Sequence, residues 1–267
     1  MTAMQISDSW ERGSPYEQYV GRWSRQVAPR FLAWLDMPDA QRWLDVGCGT
    51  GALCAAIADT CAPSALTGVD PSEGFLKSAR QYIGSRAVLH SGNASSVPLP
   101  DASVDVIVSG LVLNFVPDVG AALAEMSRVA VGGGTIAAYV WDYAEKMELM
   151  RYFWDSAVEL SADAARLDEG SRFPLCNQEA LTSAFRNAGL HAVETAAIDI
   201  TTAFADFNDY WTPFLGGQGP APAYAMALSE DARSRLRDHI QHRLPRESDG
   251  SIQLIARAWS VRGSLAI

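Results

Sequence analysis

The stretch Leu44-Asp45-Val46-Gly47-Cys48-Gly49-Thr50-Gly51-Ala52-Leu53 decides the fold of this chain. Apolar residues lead into three glycines at alternate positions, and small residues with helical character follow at once, which predicts a strand, a tight turn and a helix. Glycine has no Cβ and adopts backbone angles that other residues resist, so bare backbone comes close to a ligand there. The free N–H groups at the start of the helix favour a carboxylate or a phosphate. The stretch therefore predicts a binding site for a nucleotide-like cofactor.

Two classes of cofactor fit this glycine loop when it is taken alone. The pattern Gly47-x-Gly49-x-x-Ala52 satisfies the dinucleotide fingerprint, and Asp70 lies 23 residues beyond Gly47, near the spacing of a ribose-binding acid. An NAD(P)-dependent oxidoreductase is therefore one alternative. Two features count against it: Asp45 lies inside the strand, where a dinucleotide fold usually has an apolar residue, and no lysine for a tyrosine–lysine pair follows the fourth predicted strand before Lys146.

Four further segments follow the glycine loop in a recognisable order: Leu66–Ser72, His90–Ala94, Pro98–Ser109 and Met126–Thr135. With LDVGCGTG as the first motif, these segments resemble the class I S-adenosylmethionine (SAM)-dependent methyltransferases across residues 42–141. The resemblance is to the small-molecule type related to the ubiquinone and menaquinone biosynthesis enzymes. It implies SAM as the cofactor, S-adenosylhomocysteine (SAH) as its product, and a small-molecule methyl acceptor as the partner.

The resemblance also implies a role for individual residues along the carboxyl ends of the strands. Gly47 and Gly49 would approach the methionine part of SAM, with Asp45 near its amino group. Asp70, followed by Pro71, would accept hydrogen bonds from the two ribose hydroxyls. The remaining implied contacts are adenine at Asn93 and the Ala94 backbone, the methionine end at Ser109, and a carboxylate of cofactor or substrate at Arg22. The family usually has Asp where this chain has Asn93, which keeps a carbonyl acceptor but not the charge; a turn residue at 93 and a simple helix cap at Asp70 are the plain alternatives.

Composition narrows the partners. The chain has 267 residues with a formal net charge of −10, which argues against nucleic acid as the main partner. Its four cysteines show no C-x-x-C spacing and no clustered histidines, so we expect neither a metal site nor a disulfide framework. No signal peptide and no membrane span is visible, so the expected location is the cytoplasm and the expected state a monomer or homodimer.

The order of predicted elements gives the fold class. Strands are expected at 42–46, 65–70, 87–91, 104–109, 134–141, 191–204 and 251–261, and helices at 50–60, 72–83, 118–130 and 177–188. This alternation predicts a Rossmann-like α/β fold: a seven-stranded, mostly parallel sheet with one antiparallel strand and helices on both faces. We expect a single domain, with core 36–142 and 177–267, an N-terminal helical cap 14–35, and insertions 142–175 and 205–246. Pro29 is expected to break or restart the first helix, and 216–222 to be an irregular loop that could act as a lid.

Methyl transfer is an in-line displacement that needs alignment and water exclusion, with a base only when the acceptor must lose a proton. Asp142 and Tyr143, just past the fifth strand, are the candidate bases. The candidate acceptor pocket is aromatic, lined by Tyr16, Tyr19, Trp23, Trp141, Tyr210, Trp211 and Phe214. Aromatic residues at such spacing are also typical of core packing. A SAM-binding protein that acts through protein contacts without catalysis is the second alternative.

Overall fold

The computed structural model describes residues 21–216 and 219–267. Its backbone contacts divide the chain into two compact units. The sheet unit contains Ser24–Trp141, Leu175–Ile198 and Ala258–Ile267. The helical unit contains, among the described residues, 21–23, 142–174, 199–216 and 219–257. Most of the two predicted insertions, 142–175 and 205–246, therefore falls in the helical unit.

Seven strands form one sheet in the order β3-β2-β1-β4-β5-β7-β6. Strands β1 to β5 pair in parallel, and β7 runs antiparallel to β5. The predicted fold class is thereby confirmed. The strands are β1 (Arg42–Val46), β2 (Ala65–Asp70), β3 (Val88–Ser91), β4 (Val104–Gly110), β5 (Ala130–Trp141), β6 (His191–Phe204) and β7 (Ile252–Ser264).

Ten α-helices lie in the described residues: α1 (Arg22–Leu35), α2 (Ala52–Thr60), α3 (Glu73–Ile83), α4 (Val119–Val129), α5 (Glu148–Leu160), α6 (Glu169–Arg172), α7 (Gln178–Asn187), α8 (Phe207–Trp211), α9 (Pro220–Ala227) and α10 (Glu230–Arg243). Several begin where a side-chain oxygen accepts a backbone N–H, as Ser72 does for α3 and Asp118 for α4. Helix α7 ends before Gly189, whose φ of +79° supplies the left-handed turn expected at a helix terminus.

Two local predictions were wrong, and both concern proline. Pro29 lies inside α1 without ending it. The segment 216–222 is not irregular throughout, because α9 begins at Pro220 and includes Pro222. The first turn of a helix has N–H groups without intrahelical partners, so the missing donor of a proline costs nothing there. Residues 217–218 of the predicted lid lie outside the described residues.

The core of the sheet unit consists of buried strand residues and of the buried faces of the helices that pack on the sheet. Trp43, Leu44 and Val46 of β1 are buried, as are Ile57 of α2 and Leu76 of α3. On the surface, Arg128 of α4 ties the connection before β4, donating to the carbonyl oxygens of Val97 and Leu99 at 3.1 Å each. The strands that carry the predicted site at their ends are therefore held in place by a packed core.

The core of the helical unit is aromatic. Phe153 stacks on Phe214 with ring centroids 4.6 Å apart, and Trp154 lies 5.5 Å from Tyr224. The hydroxyl of Tyr210 donates to the Leu149 carbonyl at 2.8 Å, so this ring is fixed at both ends. Buried aromatic rings of this kind supply much of the apolar area that a small helical unit needs.

Candidate cofactor-binding site

The glycine loop connects β1 to α2 in the sheet unit through a run of left-handed backbone. The φ angles of Gly47, Gly49 and Gly51 are +76°, +52° and +91°, a region that side chains disfavour. The N–H groups of Gly47 and Cys48 both donate to the Val69 carbonyl of β2, at 2.7 and 3.1 Å. The loop is therefore anchored to the end of the neighbouring strand.

The three glycines differ in what surrounds them. A Cβ on Gly47 would lie 2.5 Å from the Val112 side chain, and one on Gly51 would lie 2.4 Å from Ile83. A Cβ on Gly49 would meet nothing within 4 Å. Gly47 and Gly51 are thus required by internal packing, whereas Gly49 faces open space.

Asp70, the last residue of β2, is hydrogen-bonded to this loop. Its Oδ2 accepts the Gly49 N–H at 3.0 Å and its Oδ1 accepts the Ser72 N–H at 2.8 Å. Burial raises the pKa of this carboxyl, and the two backbone hydrogen bonds oppose that rise. Ser72, and not Asp70, caps α3. Each carboxylate oxygen keeps a second lone pair, which leaves Asp70 able to accept further donors.

Asp45 is a buried carboxyl with an unfilled acceptor. It is 1% exposed, its Oδ2 accepts the Cys54 thiol at 3.2 Å, and its buried Oδ1 has no hydrogen-bond partner among the described residues. Burial raises its pKa to about 7, against the Cys54 hydrogen bond and with a contribution from the charge of Asp70. A buried oxygen of this kind favours a cationic or N–H donor from a ligand.

The remaining predicted cofactor residues of the sheet unit lie at neighbouring strand ends. Asn93 follows β3, is exposed, and accepts the Ser95 N–H on its Oδ1 at 2.9 Å, which is the turn geometry that its residue type favours. Ala94 is half-buried beside it, and Pro71 is exposed after β2. Ser109 is fully buried in β4, where its hydroxyl donates to the Val46 carbonyl at 2.9 Å and links β4 to the end of β1.

Sequence reasoning missed two contacts of this site. Cys54 holds Asp45, and Val112 fills the space next to Gly47. The position of Cys54 has a local signal, because the third residue of a helix that starts at Ala52 can turn toward the preceding strand. Val112 lies 65 residues from Gly47 in sequence, and no short-range pattern indicates their contact.

Several predicted residues belong to the helical unit. Arg22 donates from Nη1 to Asp209 Oδ1 at 3.0 Å, while its guanidinium lies 4.3 Å from the Trp23 ring and 4.9 Å from the Phe204 ring. Its buried Nε and Nη2 have no partner among the described residues. Trp23, Tyr210, Trp211 and Phe214 are buried in the aromatic core. Tyr16 and Tyr19 lie outside the described residues.

The two candidate bases are also buried in the helical unit. Asp142 accepts the Glu145 N–H on Oδ1 at 3.0 Å, and the Tyr143 ring packs on Phe173 with centroids 5.5 Å apart. Trp141, the last residue of β5, is buried in the sheet unit. The roles of these residues in binding an acceptor or moving a proton stay predictions.

The next two findings concern metal binding and membrane crossing within the described residues. No group of three or more histidine, cysteine, aspartate or glutamate side chains in 21–216 and 219–267 is arranged to hold a metal ion. Over the same ranges, no helix has both the length and the apolar character that crossing a bilayer requires.

Comparison with known proteins shows what this chain resembles. Residues 44–138 match the model of the methyltransferase domain family. A demethylmenaquinone methyltransferase of Anoxybacillus flavithermus is 29% identical over 210 residues, covering 71% of this chain and 86% of the relative. A malonyl-[acyl-carrier protein] O-methyltransferase of Serratia marcescens is 32% identical over 131 residues, about half of each chain. The solved Bacillus subtilis YcgJ protein shares the fold with a TM-score of 0.61 at 18% identity, covering 91% of this chain and 99% of that one.

The fold and the glycine loop together define a Rossmann-like methyltransferase domain. Residues 44–138 carry the methyltransferase domain, and the comparisons support a SAM-dependent methyltransferase of the small-molecule type with S-adenosyl-L-methionine as its cofactor. The comparisons do not favour an oxidoreductase.

The residues of the sheet unit suit this cofactor. The unpartnered Oδ1 of Asp45 is an acceptor for an ammonium group, and the open space at Gly49 admits a ligand against bare backbone. Asp70 offers lone pairs at a strand end. The chemistry of this donor and acceptor set therefore agrees with the family.

Proposed function

We propose that the protein transfers a methyl group from SAM to a small, partly apolar acceptor by in-line displacement. The observation that carries the proposal is the buried, unfilled Oδ1 of Asp45 at the end of β1. SAM supplies a methyl group on a sulfonium that is electrophilic without further activation. The contribution of the chain is then to bind, orient and exclude water.

Asp45 would bind the amino group of the methionine part. An ammonium donor would satisfy the buried oxygen and favour the ionised carboxylate, which is unfavourable while no positive charge is near. The Cys54 thiol on the other oxygen fixes the carboxyl plane. Asp45 thus acts as a positioning group that sets where the methionine end lies.

Asp70 and Gly49 would act together on the ribose side. Asp70 already accepts the N–H of Gly49, so one carboxyl both shapes the loop and presents lone pairs to the two hydroxyls. Because the loop is hydrogen-bonded in place, little backbone freedom remains to be lost on binding. The Oδ1 of Asn93 has one further lone pair for the adenine amino group, with the Ala94 backbone beside it.

The names of the relatives supply two candidate acceptor classes. The relatives compared above are named for demethylmenaquinone and for O-methylation of a malonyl-[acyl-carrier protein]. We propose a partly apolar acceptor of one of these two kinds, a quinone-type ring or a carboxylate on an acyl chain. A hydroxyl acceptor would lose a proton, for which Asp142 and Tyr143 remain the candidate bases, whereas a carboxylate acceptor would need none.

The test is transfer of a labelled methyl group from SAM to a panel containing a naphthoquinol, a phenol and a malonyl thioester. Labelled product with one acceptor, together with stoichiometric SAH, supports the proposal. As a matched pair, Asp70→Ala should lower transfer at subsaturating SAM, while Asp59→Ala on the surface of the same unit should leave it unchanged. If the protein binds SAH but labels nothing in the panel or in a cell extract, a non-catalytic role replaces this proposal.

A further inference from the structure

A cleft in the helical unit lies between the end of α5 and the pair α9–α10. Its volume is about 320 Å³, and its walls are Ala157, Leu160, Ser161, Tyr224, Leu228, Ala232, Arg235 and Leu236. No residue of the glycine loop or of the neighbouring strand ends contributes to it. The cleft is therefore a cavity that the cofactor chemistry does not use.

The walls of the cleft are mostly aliphatic, and its mouth keeps apolar surface in contact with water. Leu160 is 46% exposed, so nearly half of its surface is in contact with water at the open side of the cleft. At about 30 Å³ for a group the size of a water molecule, the volume holds on the order of ten methylene groups or other small groups. The volume and the lining fit an alkyl chain of about this size.

Two neutral hydroxyl groups reach the cleft. The Tyr224 ring is buried against Trp154 and Phe153, and its pKa is raised by burial and, to a lesser extent, by the charge of Asp163, so the hydroxyl keeps its proton. Neither Tyr224 nor Ser161 has a side-chain hydrogen-bond partner in the part of the chain that the structure describes. Both hydroxyls can donate to an anionic head group.

Arg235 places a positive charge at the mouth of the cleft. Along α10, Arg233, Arg237 and Arg243 are paired with Glu230, Asp238 and Glu159. Arg235 lines the cleft, is exposed, and has no carboxylate within salt-bridge distance in the described ranges. An uncompensated guanidinium beside an apolar cavity is complementary to an alkyl chain that ends in an anion.

We propose that this cleft binds a small amphipathic anion, a linear alkyl carboxylate of about eight to ten carbons. The alkyl part of this ligand lies against Leu160, Leu228 and Leu236, and its carboxylate contacts Arg235 and the Tyr224 hydroxyl. The site goes beyond methyl transfer, because it is built from residues to which neither the motifs nor the family match assigns a role.

The test is calorimetric titration of the full chain with sodium decanoate below its micellar range, with acetate and decyltrimethylammonium as controls. Saturable binding of decanoate alone is the expected result. Arg235→Gln should weaken it at least tenfold, and Ala232→Trp should remove it by filling the cleft. Arg237→Gln, on the same helix but outside this cleft, should leave decanoate affinity unchanged, and every variant should bind SAH like the parent as a check of folding.

Four outcomes overturn the proposal. They are no saturable decanoate binding by the parent chain, equal binding of acetate, equal binding of the cationic amphiphile, and decanoate affinity that is unchanged in Arg235→Gln. Because SAH binding is measured in the same samples, a failure here is distinguishable from a failure of the methyltransferase proposal.

Discussion

The backbone N–H of Gly49 donates to Oδ2 of Asp70 over 3.0 Å, so the residue that faces open space in the glycine loop is held by the acid of the next strand. One carboxyl thereby links two motifs that lie 21 residues apart. Substitution of either residue should lower the affinity for the cofactor.

Asp70→Ala should weaken SAH binding by about 1.5–3 kcal/mol, the range for hydrogen bonds to a charged group. Calorimetric titration with SAH measures the effect, and thermal unfolding of the same sample separates it from loss of folding. Asp70→Asn should fall between the parent and Asp70→Ala, because the amide keeps one acceptor for the Gly49 N–H. Unchanged affinity in Asp70→Ala would remove this residue from the cofactor site.

Gly49 and Gly47 should respond differently to the same substitution. Gly49→Ala adds a methyl group to open space at a φ of +52°, so we expect a folded protein, destabilised by about 1–2 kcal/mol, that no longer binds SAH. Gly49→Val should also abolish binding. Gly47→Ala places its Cβ 2.5 Å from Val112 and should lower the melting temperature further. Normal SAH binding by a folded Gly49→Val protein would show that the loop is not the cofactor cradle.

The affinity for SAH should depend on pH through Asp45. Its pKa is raised to about 7, so below that pH the carboxyl is protonated in the free protein and must lose the proton to hold an ammonium group. The SAH dissociation constant should therefore rise about tenfold per pH unit as the pH falls below about 7. Asp45→Asn should bind weakly at every pH, without this slope. Methylthioadenosine, which has no amino group, supplies the matched ligand, and the same slope with it would contradict the assignment.

Arg22 should discriminate between the same two ligands. If its unpartnered Nε and Nη2 hold the carboxylate of the methionine part, Arg22→Gln should weaken SAH binding about tenfold or more and leave methylthioadenosine binding unchanged. Asp209→Ala removes the partner of Nη1 and tests whether that ion pair positions the guanidinium. An equal loss for both ligands would indicate a structural role.

Glu169 should make the folded state less stable in alkali. This carboxyl is buried beside the Trp154 indole, which donates to it, and burial raises its pKa from 4.5 to about 8. The folded state thus holds the proton more tightly, and its stability falls as the pH rises from about 4.5 to about 8. Glu169→Gln should be more stable than the parent above pH 8, by a few kcal/mol in order of magnitude. Denaturant unfolding at pH 5.5 and 8.5 measures it, and an equal pH dependence in both proteins would rule Glu169 out as the cause.

The sequence predicts the sheet well because the strand signal is local. Runs such as Arg42–Val46 and Ala65–Asp70 are apolar, bounded by turn residues, and match the observed strands residue for residue. The acids at strand ends follow from the same reasoning, since parallel strands bring their carboxyl ends to one edge.

What the sequence does not predict depends on contacts distant along the chain. The Cys54 thiol on Asp45, the Val112 side chain beside Gly47 and the burial of Glu169 all arise only when elements pack together. The helix that starts at Pro220 shows a different limit: residue type alone suggests a loop, but a proline in the first turn of a helix loses no hydrogen bond.

The contrast between Gly47 and Gly49 has a consequence for how such chains diverge. A Cβ at Gly47 would clash with Val112, so a descendant that gives up its cofactor still loses stability if it replaces that glycine. A Cβ at Gly49 would meet no neighbouring atom, so once no cofactor binds there, only the backbone strain at its φ of +52° opposes replacement. A relative in which Gly49 is replaced and Gly47 is kept would therefore be expected to have the fold without the methyltransferase activity.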